Sequence, residues 1–276
     1  MMGAVATTLR YRAHVGMTRA LDRIFSPSHD LDEISAWDAF WCDRIDRAEL
    51  TGEIFEHDVP GKRWLYERVV DAVQYCAGGS LEGKQVAEIG CGSGYAAMRT
   101  ADRGASPSLI DASPSALRYA RQIARRLHIE SRVAFHQRNL FELGGLGPFD
   151  VSFQSGVLEH YSLEDAVEIV RAMVGATRPG GTVIVILPNL LSPVLLSRMI
   201  RSRSKGSERF FSQWLLERVF REAGLRKSRG GYVNALLPVE TPIPVLEWSR
   251  KMGVERWAGS LSALFLRWSV VPEKSA

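Results

Sequence analysis

At 276 residues, with 46% hydrophobic and 24% charged side chains, the chain has the make-up of a globular protein able to bury a real core. No apolar run approaches the roughly 20 residues of a bilayer span, and the opening Met1–Met17 carries arginines without the continuous apolar core of a secretory signal. The net charge of +4 comes from scattered cations interleaved with acids, which argues against a nucleic-acid partner. Cys42, Cys76 and Cys91 are widely spaced and form no C-x-x-C pair, so neither structural zinc nor a disulfide framework is expected, and a reducing cytoplasm is the expected compartment.

Residues 1–30 show no sustained periodicity and contain the Ser26-Pro27-Ser28 break, so they read as a loose N-terminal segment. Residues 31–75 carry two helical patterns, Glu33–Ala48 and Arg63–Tyr75, expected to form a helical cap. In the first, Ile34, Trp37, Trp41 and Ile45 recur at near-helical spacing. Two roles fit these aromatics: packing on the domain that follows, or forming a lid over a substrate.

From Gln85 the rhythm changes to short apolar strands alternating with helices. The strand candidates are Gln85–Ile89, Ser108–Asp111, Arg132–His136, Phe149–Phe153 and Thr182–Leu187, with helical patterns at Tyr95–Arg103, Ser115–Leu127 and Leu163–Ala176. Ser113 before Pro114 marks one helix start, and Ser162 with Asp165 reads as a capping box at another. After Pro188 comes an insertion-like stretch, 188–211, then a helix beginning at Ser212 and stopped by Gly224. Strands at Tyr232–Leu237 and Leu261–Val271, with a helix between Val245 and Trp257, complete the pattern. This alternation predicts an α/β fold over residues 76–276: a doubly wound, mostly parallel seven-stranded sheet with helices on both faces. Right-handed crossovers bring the strands' carboxyl ends to one edge, where ligands bind.

The most specific local feature is Glu88-Ile89-Gly90-Cys91-Gly92-Ser93-Gly94, set where a buried strand turns into a helix. Glycine lets the backbone turn sharply there and approach a ligand closely. Dinucleotide dehydrogenases require a small residue where Tyr95 stands, and no Gly-Lys-Ser/Thr follows as a P-loop demands. The E-x-G-x-G-x-G spacing resembles instead the first motif of the class I S-adenosylmethionine-dependent methyltransferases. The resemblance is good over about residues 80–190 and implies S-adenosyl-L-methionine as cofactor. It implies that the loop of Gly90, Cys91, Gly92 and Gly94 wraps the methionine end, that Glu88 supports the loop, and that Cys91 is a filler rather than a nucleophile. Asp111, followed by Ala112, ends the next strand where an acid can accept hydrogen bonds from both ribose hydroxyls; an Asx-turn ahead of the helix is the plainer role. Asn139-Leu140 stand where the family usually has an acid and an apolar residue reading adenine, and the carboxamide oxygen of Asn139 can still accept from the adenine amine.

Phe149 to His160 resembles the family's fourth motif in its small-molecule variant, with Ser155 at the cofactor, and Thr177-Arg178-Pro179-Gly180-Gly181 resembles the turn into strand five. Gln154-Ser155-Gly156-Val157 lacks the Asn/Asp-Pro-Pro-Tyr/Phe clamp of enzymes that methylate exocyclic base amines, and the Pro-Cys nucleophile of cytosine-C5 enzymes is missing. Glu159 and His160 are the nearest candidate bases, and a structural histidine near the cofactor is the plainer reading of His160. Substrate selection is expected from Trp37 and Trp41 in the cap and from Arg198 and Arg201 in the lid-like insertion. That basic stretch reads either as a solvated face or as a receiver of a carboxylate, phosphate or anionic membrane surface. The expected activity is methyl transfer to an O, N or C atom of a small metabolite, of secondary-metabolite or lipid, quinone or isoprenoid type. An RNA or protein methyltransferase and a non-catalytic cofactor-binding partner subunit are the alternatives, and a homo-oligomer is compatible with the sequence.

Overall fold

The computed structural model describes residues 33–51, 60–189, 211–233, 243–252 and 264–272. Helices α1 (Glu33–Thr51) and α2 (Pro60–Cys76) lead into the alternating region. This region runs β1 (Gln85–Ile89), α3 (Tyr95–Thr100), β2 (Ser106–Asp111), α4 (Pro114–Arg126), β3 (Ala134–Gln137), β4 (Phe149–Ser155), α5 (Leu163–Ala176) and β5 (Thr177–Pro188). Helix α6 (Gln213–Glu222), strand β6 (Arg229–Val233), helix α7 (Ile243–Lys251) and strand β7 (Leu264–Val270) follow.

One seven-stranded sheet has the order β3-β2-β1-β4-β5-β7-β6, parallel throughout except for β7, which runs antiparallel to both neighbours. The chain winds outward in both directions from β1 and β4, leaving a crevice at their carboxyl ends. Alternate residues of the buried strands feed two cores. Val86, Leu109, Val151, Phe153 and Ile184 pack with α2, α3 and α4 on one face. Ala87, Ile89, Ile110, Val183 and Val185 pack with α5 and α6 on the other. Both faces are covered, so the central strands read as near-continuous apolar runs.

Local chemistry explains the helix starts. The Ser113 hydroxyl accepts from Ala116 N–H with Pro114 at the first turn, and the Ser212 hydroxyl accepts from Leu215 N–H. The Ser162 hydroxyl accepts from Asp165 N–H, but the Asp165 carboxylate closes the box on that hydroxyl (2.6 Å). Several boundaries differ from the sequence expectation. The helix at Tyr95 ends at Thr100 and tightens into a 3-10 turn over Ala101–Arg103. Strand β5 starts at Thr177, so the Thr177–Gly181 turn is itself sheet, with a register shift opposite Phe149/Val151. Strand β6 begins at Arg229 because Gly230 and Gly231, which interrupt the apolar pattern, pair with Arg267 and Leu266.

The two leading helices dock differently. Helix α2 contributes Val69 and Val73 to the core, and Arg99 and Arg103 bind it through Glu67 (2.7 Å) and Asp71 (2.6 Å). Helix α1 lies on α4, where the Asp38 carboxylate accepts from the Ser113 hydroxyl (2.7 Å) and Ser115 N–H (2.9 Å). Burial alone would raise the Asp38 pKa. These two bonds and the nearby Arg118 outweigh it and hold the carboxyl below its ordinary value. Among the described residues no helix is long and apolar enough to cross a membrane, and no cluster of metal-ligating side chains occurs.

Candidate functional site

The glycine loop, β2 and β4 open together on a cavity of about 420 Å³ at the carboxyl edge of the sheet. Strand β1 delivers Gly90 to Ser93. Gly90 and Cys91 both donate their N–H to the Ile110 carbonyl (2.8 and 3.0 Å), which ties the loop to β2. Gly94 has φ +66°, and a Cβ there would enter the Leu109 side chain. Gly92 has φ +51°, and its Cβ would meet the Trp41 ring at 2.6 Å. Both positions therefore require glycine, one for helix–strand packing and one for the approach of α1.

Two carboxylates hold this loop. The buried Glu88 accepts from Ala97 N–H of α3 (3.0 Å). Burial, helped by repulsion from Asp111, pushes its carboxyl up to about 8. Asp111 accepts from Gly92 N–H (2.8 Å) and Ser113 N–H (2.9 Å) through different oxygens. Burial raises its pKa despite those bonds. Asp111 is only half-buried, and it faces the cavity beside Ala112 and Ser113. The Cys91 thiol is buried, and the desolvation, with Asp111 and Glu88 close by, drives its pKa well above the ordinary thiol value. It is held as a neutral thiol with no nucleophilic character near pH 7.

The cavity collects Glu88, Gly90, Cys91, Gly92, Asp111, Ala112, Leu140, Ser155 and His160 of the expected residues, together with Trp37 and Trp41. Three expected positions stand apart from it. Gly94 packs behind the loop. Glu159 is buried beneath the 3-10 turn Leu158–His160 and does not line the cavity. Asn139 is exposed in an adjoining concavity that shares Ile34 and Ala112 with the main one, because its Oδ1 is taken by Phe141 N–H (3.1 Å). Arg198 and Arg201 lie outside the described residues. His160 faces Trp37 edge-on with ring centroids 4.9 Å apart. Trp41 rests on Gly92 and tilts against Tyr119 at 5.5 Å.

The sequence reading missed several lining residues: Lys62, Leu65, Tyr66 and Val69 of α2, Val157 and Tyr161 after β4, and Leu264 at the start of β7. The helical spacing of Lys62, Tyr66 and Val69 is their only sequence signal.

A glycine-lined strand–helix turn backed by an acid at the end of β2, on a doubly wound sheet, defines a nucleoside-cofactor enzyme. Its cavity is within the roughly 300–1,000 Å³ typical of ligand sites. A family described as "Methyltransferase domain" matches residues 80–224. A ubiquinone biosynthesis O-methyltransferase of Alkalilimnicola ehrlichii is 32% identical over 180 residues, covering 60% of this chain and 71% of that protein. A tRNA U34 carboxymethyltransferase of Shewanella halifaxensis is 35% identical over 98 residues, 35% of this chain and 28% of that one. Among solved structures, magnesium protoporphyrin IX methyltransferase from Synechocystis, with S-adenosylhomocysteine bound, superposes with a TM-score of 0.59 at 19% identity. It spans 86% of this chain and 97% of that one. The chain belongs to the class I S-adenosylmethionine-dependent methyltransferases, and its cofactor is S-adenosylmethionine. The loop fits that cofactor. Gly90, Cys91, Gly92 and Ser93 line the cavity together, and the acid at the end of β2 stands at the same edge.

Proposed function

We propose that the enzyme methylates a hydroxyl oxygen of a small, largely apolar acceptor. The observation that carries this reading is the wall that α1 and α2 bring against the cavity. Trp37 and Trp41 of α1 and Leu65, Tyr66 and Val69 of α2 line the cavity with largely apolar surface, Lys62 lines it too, and His160 stands against Trp37 as a polar group. A wall of this kind takes up a compact apolar body and leaves its one polar atom near the imidazole. The relationship to a ubiquinone biosynthesis O-methyltransferase supports the same acceptor chemistry.

S-adenosylmethionine supplies a methyl group already activated on sulfonium, so the chain's task is positioning and water exclusion. Asp111, its carboxylate oriented by Gly92 and Ser113, receives the ribose hydroxyls. Leu140 and Ala112 bound the adenine, with Asn139 at its outer edge. Ser155 and the Gly90–Ser93 backbone bound the methionine end. His160 takes the acceptor's hydroxyl proton, a transfer that an imidazole is suited to make near neutrality. Glu159, buried behind it, is a supporting residue rather than a base.

The test is methyl transfer from labelled S-adenosylmethionine to a panel of phenols, prenylated quinols, amines and carboxylates, with bulk tRNA as a parallel arm. Transfer to phenolic hydroxyls, cut about 10²–10⁴-fold in His160→Ala with S-adenosylhomocysteine affinity retained, supports the proposal. An RNA acceptor is the second reading, favoured by the tRNA-enzyme relative. Labelling of tRNA alone overturns the first reading in its favour.

A further inference from the structure

On the sheet edge opposite the cofactor cavity, a groove of about 980 Å³ runs between the end of α2, the Gly224–Arg229 turn and the end of β7. Its cations are Arg226, Lys227 and Arg229, all exposed, and none forms an ion pair with any described residue. Its aromatic wall is Tyr75, which is 70% exposed, set edge-on to Trp268 with centroids 6.0 Å apart. An exposed tyrosine ring and three cations without an ion-pair partner among the described residues put a stacking face and a cluster of anion donors on one concave surface.

The basic turn is also held in place. The Ser269 hydroxyl donates to the Lys227 carbonyl (2.6 Å), and Arg267 donates to the Ser228 hydroxyl (2.8 Å), so β7 fixes the backbone that presents the cations. Gly78 and Gly79 beyond the end of α2, and Gly224 at the start of the basic turn, have nothing within 4 Å of a Cβ position, which leaves the groove open there. Preorganised cations lose less entropy on binding an anion than free surface lysines do.

From this juxtaposition we infer that the groove binds a nucleoside di- or triphosphate, its base stacked on Tyr75 and its phosphates on Arg226, Lys227 and Arg229. The cations fall within four consecutive residues beside one exposed ring. That arrangement matches a single base with clustered phosphates. A nucleic acid strand needs a track of cations and successive stacking platforms instead. A bilayer surface is flat and does not fill a concave groove. The site lies at the amino ends of the strands, away from methyl transfer, so it is separate from the cofactor site.

The experiment is calorimetric titration of the full chain with ATP, ADP, GTP and GDP, with saturating S-adenosylhomocysteine present to keep adenine nucleotides out of the cofactor cavity. The expected result is saturable binding with similar affinity for adenine and guanine forms. Arg226→Glu combined with Lys227→Glu should weaken it at least 10-fold. Tyr75→Ala should also weaken it, and Tyr75→Phe should retain it. S-adenosylhomocysteine affinity should be unchanged in every variant. No saturable binding at 1 mM nucleotide overturns the inference, as does binding that survives the double charge reversal. Equal competition by inorganic tripolyphosphate removes the role of the base and also overturns it. So does tighter binding of a single-stranded RNA oligomer or of phosphatidylglycerol vesicles than of any nucleotide.

Discussion

Replacing Glu88 by glutamine should change the pH dependence of stability more than stability itself. The carboxyl is buried, and its pKa stands at about 8 against an ordinary 4.5, with desolvation the main cause. A folded-state pKa raised above the unfolded value means that this group's contribution is complete below pH 4.5. It is lost as pH rises through about 8. At about 1.36 kcal/mol per unit, the full interval corresponds to about 5 kcal/mol. Glutamine keeps an oxygen for the Ala97 N–H and removes the charge. It also adds an NH₂ group that costs about 1–3 kcal/mol if it finds no partner, a cost that does not vary with pH. The quantity to measure is therefore the difference between the two unfolding temperatures, followed from pH 5 to pH 8.5 without cofactor by scanning calorimetry. It should move in favour of Glu88→Gln by roughly 10 °C across that range, taking about 2–4 °C per kcal/mol for a domain of this size. Parallel curves for the two proteins would refute the reasoning, because they would mean that Glu88 has the same proton affinity folded and unfolded.

Asp111→Asn turns one acceptor into a donor facing Gly92 N–H or Ser113 N–H, so calorimetry should record about a 10- to 150-fold loss of S-adenosylhomocysteine affinity, the scale of about 1.5–3 kcal/mol. Gly94→Ala drives a Cβ into Leu109 at positive φ and should lower stability by about 1–3 kcal/mol, read from urea unfolding, with cofactor binding weakened too. Asp38→Ala frees the Ser113 hydroxyl and Ser115 N–H and loosens α1. The acceptor KM should rise several-fold while S-adenosylhomocysteine affinity changes less. Because the Asp38 pKa is lowered, its stabilisation is present above pH 3.8 and is lost as pH falls below that value, so the variant and the parent should converge in acid.

The parts of the site held by backbone conformation were readable from the sequence. Gly90, Gly92 and Gly94 announce themselves because positive φ and close approach leave no other residue, and Asp111 sits at a fixed step along the strand–helix alternation. Contacts between distant segments were not readable. Trp37 and Trp41 share a helical face in the sequence, yet only the folded chain separates their places, one at His160 and one on Gly92. Asp38 carries no local signal, since its partners Ser113 and Ser115 lie 75 and 77 residues away. Asn139 has a local partner that the sequence did not announce: a short carboxamide readily bonds the backbone two residues on, and its Oδ1 accepts from Phe141 N–H in the concavity beside the main cavity. Glu159 and His160 are adjacent in sequence, but a 3-10 turn sends one side chain inward and leaves the other at the cavity.

The reversed direction of β7 has a consequence for how this enzyme can change. Pairing of Pro188 and Val233 with Leu264 brings the end of β5, the end of β6 and the start of β7 to the same edge of the sheet. The chain between Pro188 and Phe211 therefore begins, and that between Val233 and Leu264 both begins and ends, at the edge where Leu264 lines the cavity. The elements that hold the cofactor loop are complete by the end of β4. Insertions or exchanges in the two later segments need not disturb β1, β2 or the glycine turn. Exchanges there can alter what adjoins the acceptor cavity at Leu264 while the wall supplied by α1 and α2 and the cofactor loop keep their sequence. Chimeras that graft residues 189–210 or 234–263 from a relative should keep their affinity for S-adenosylhomocysteine while trading one acceptor for another.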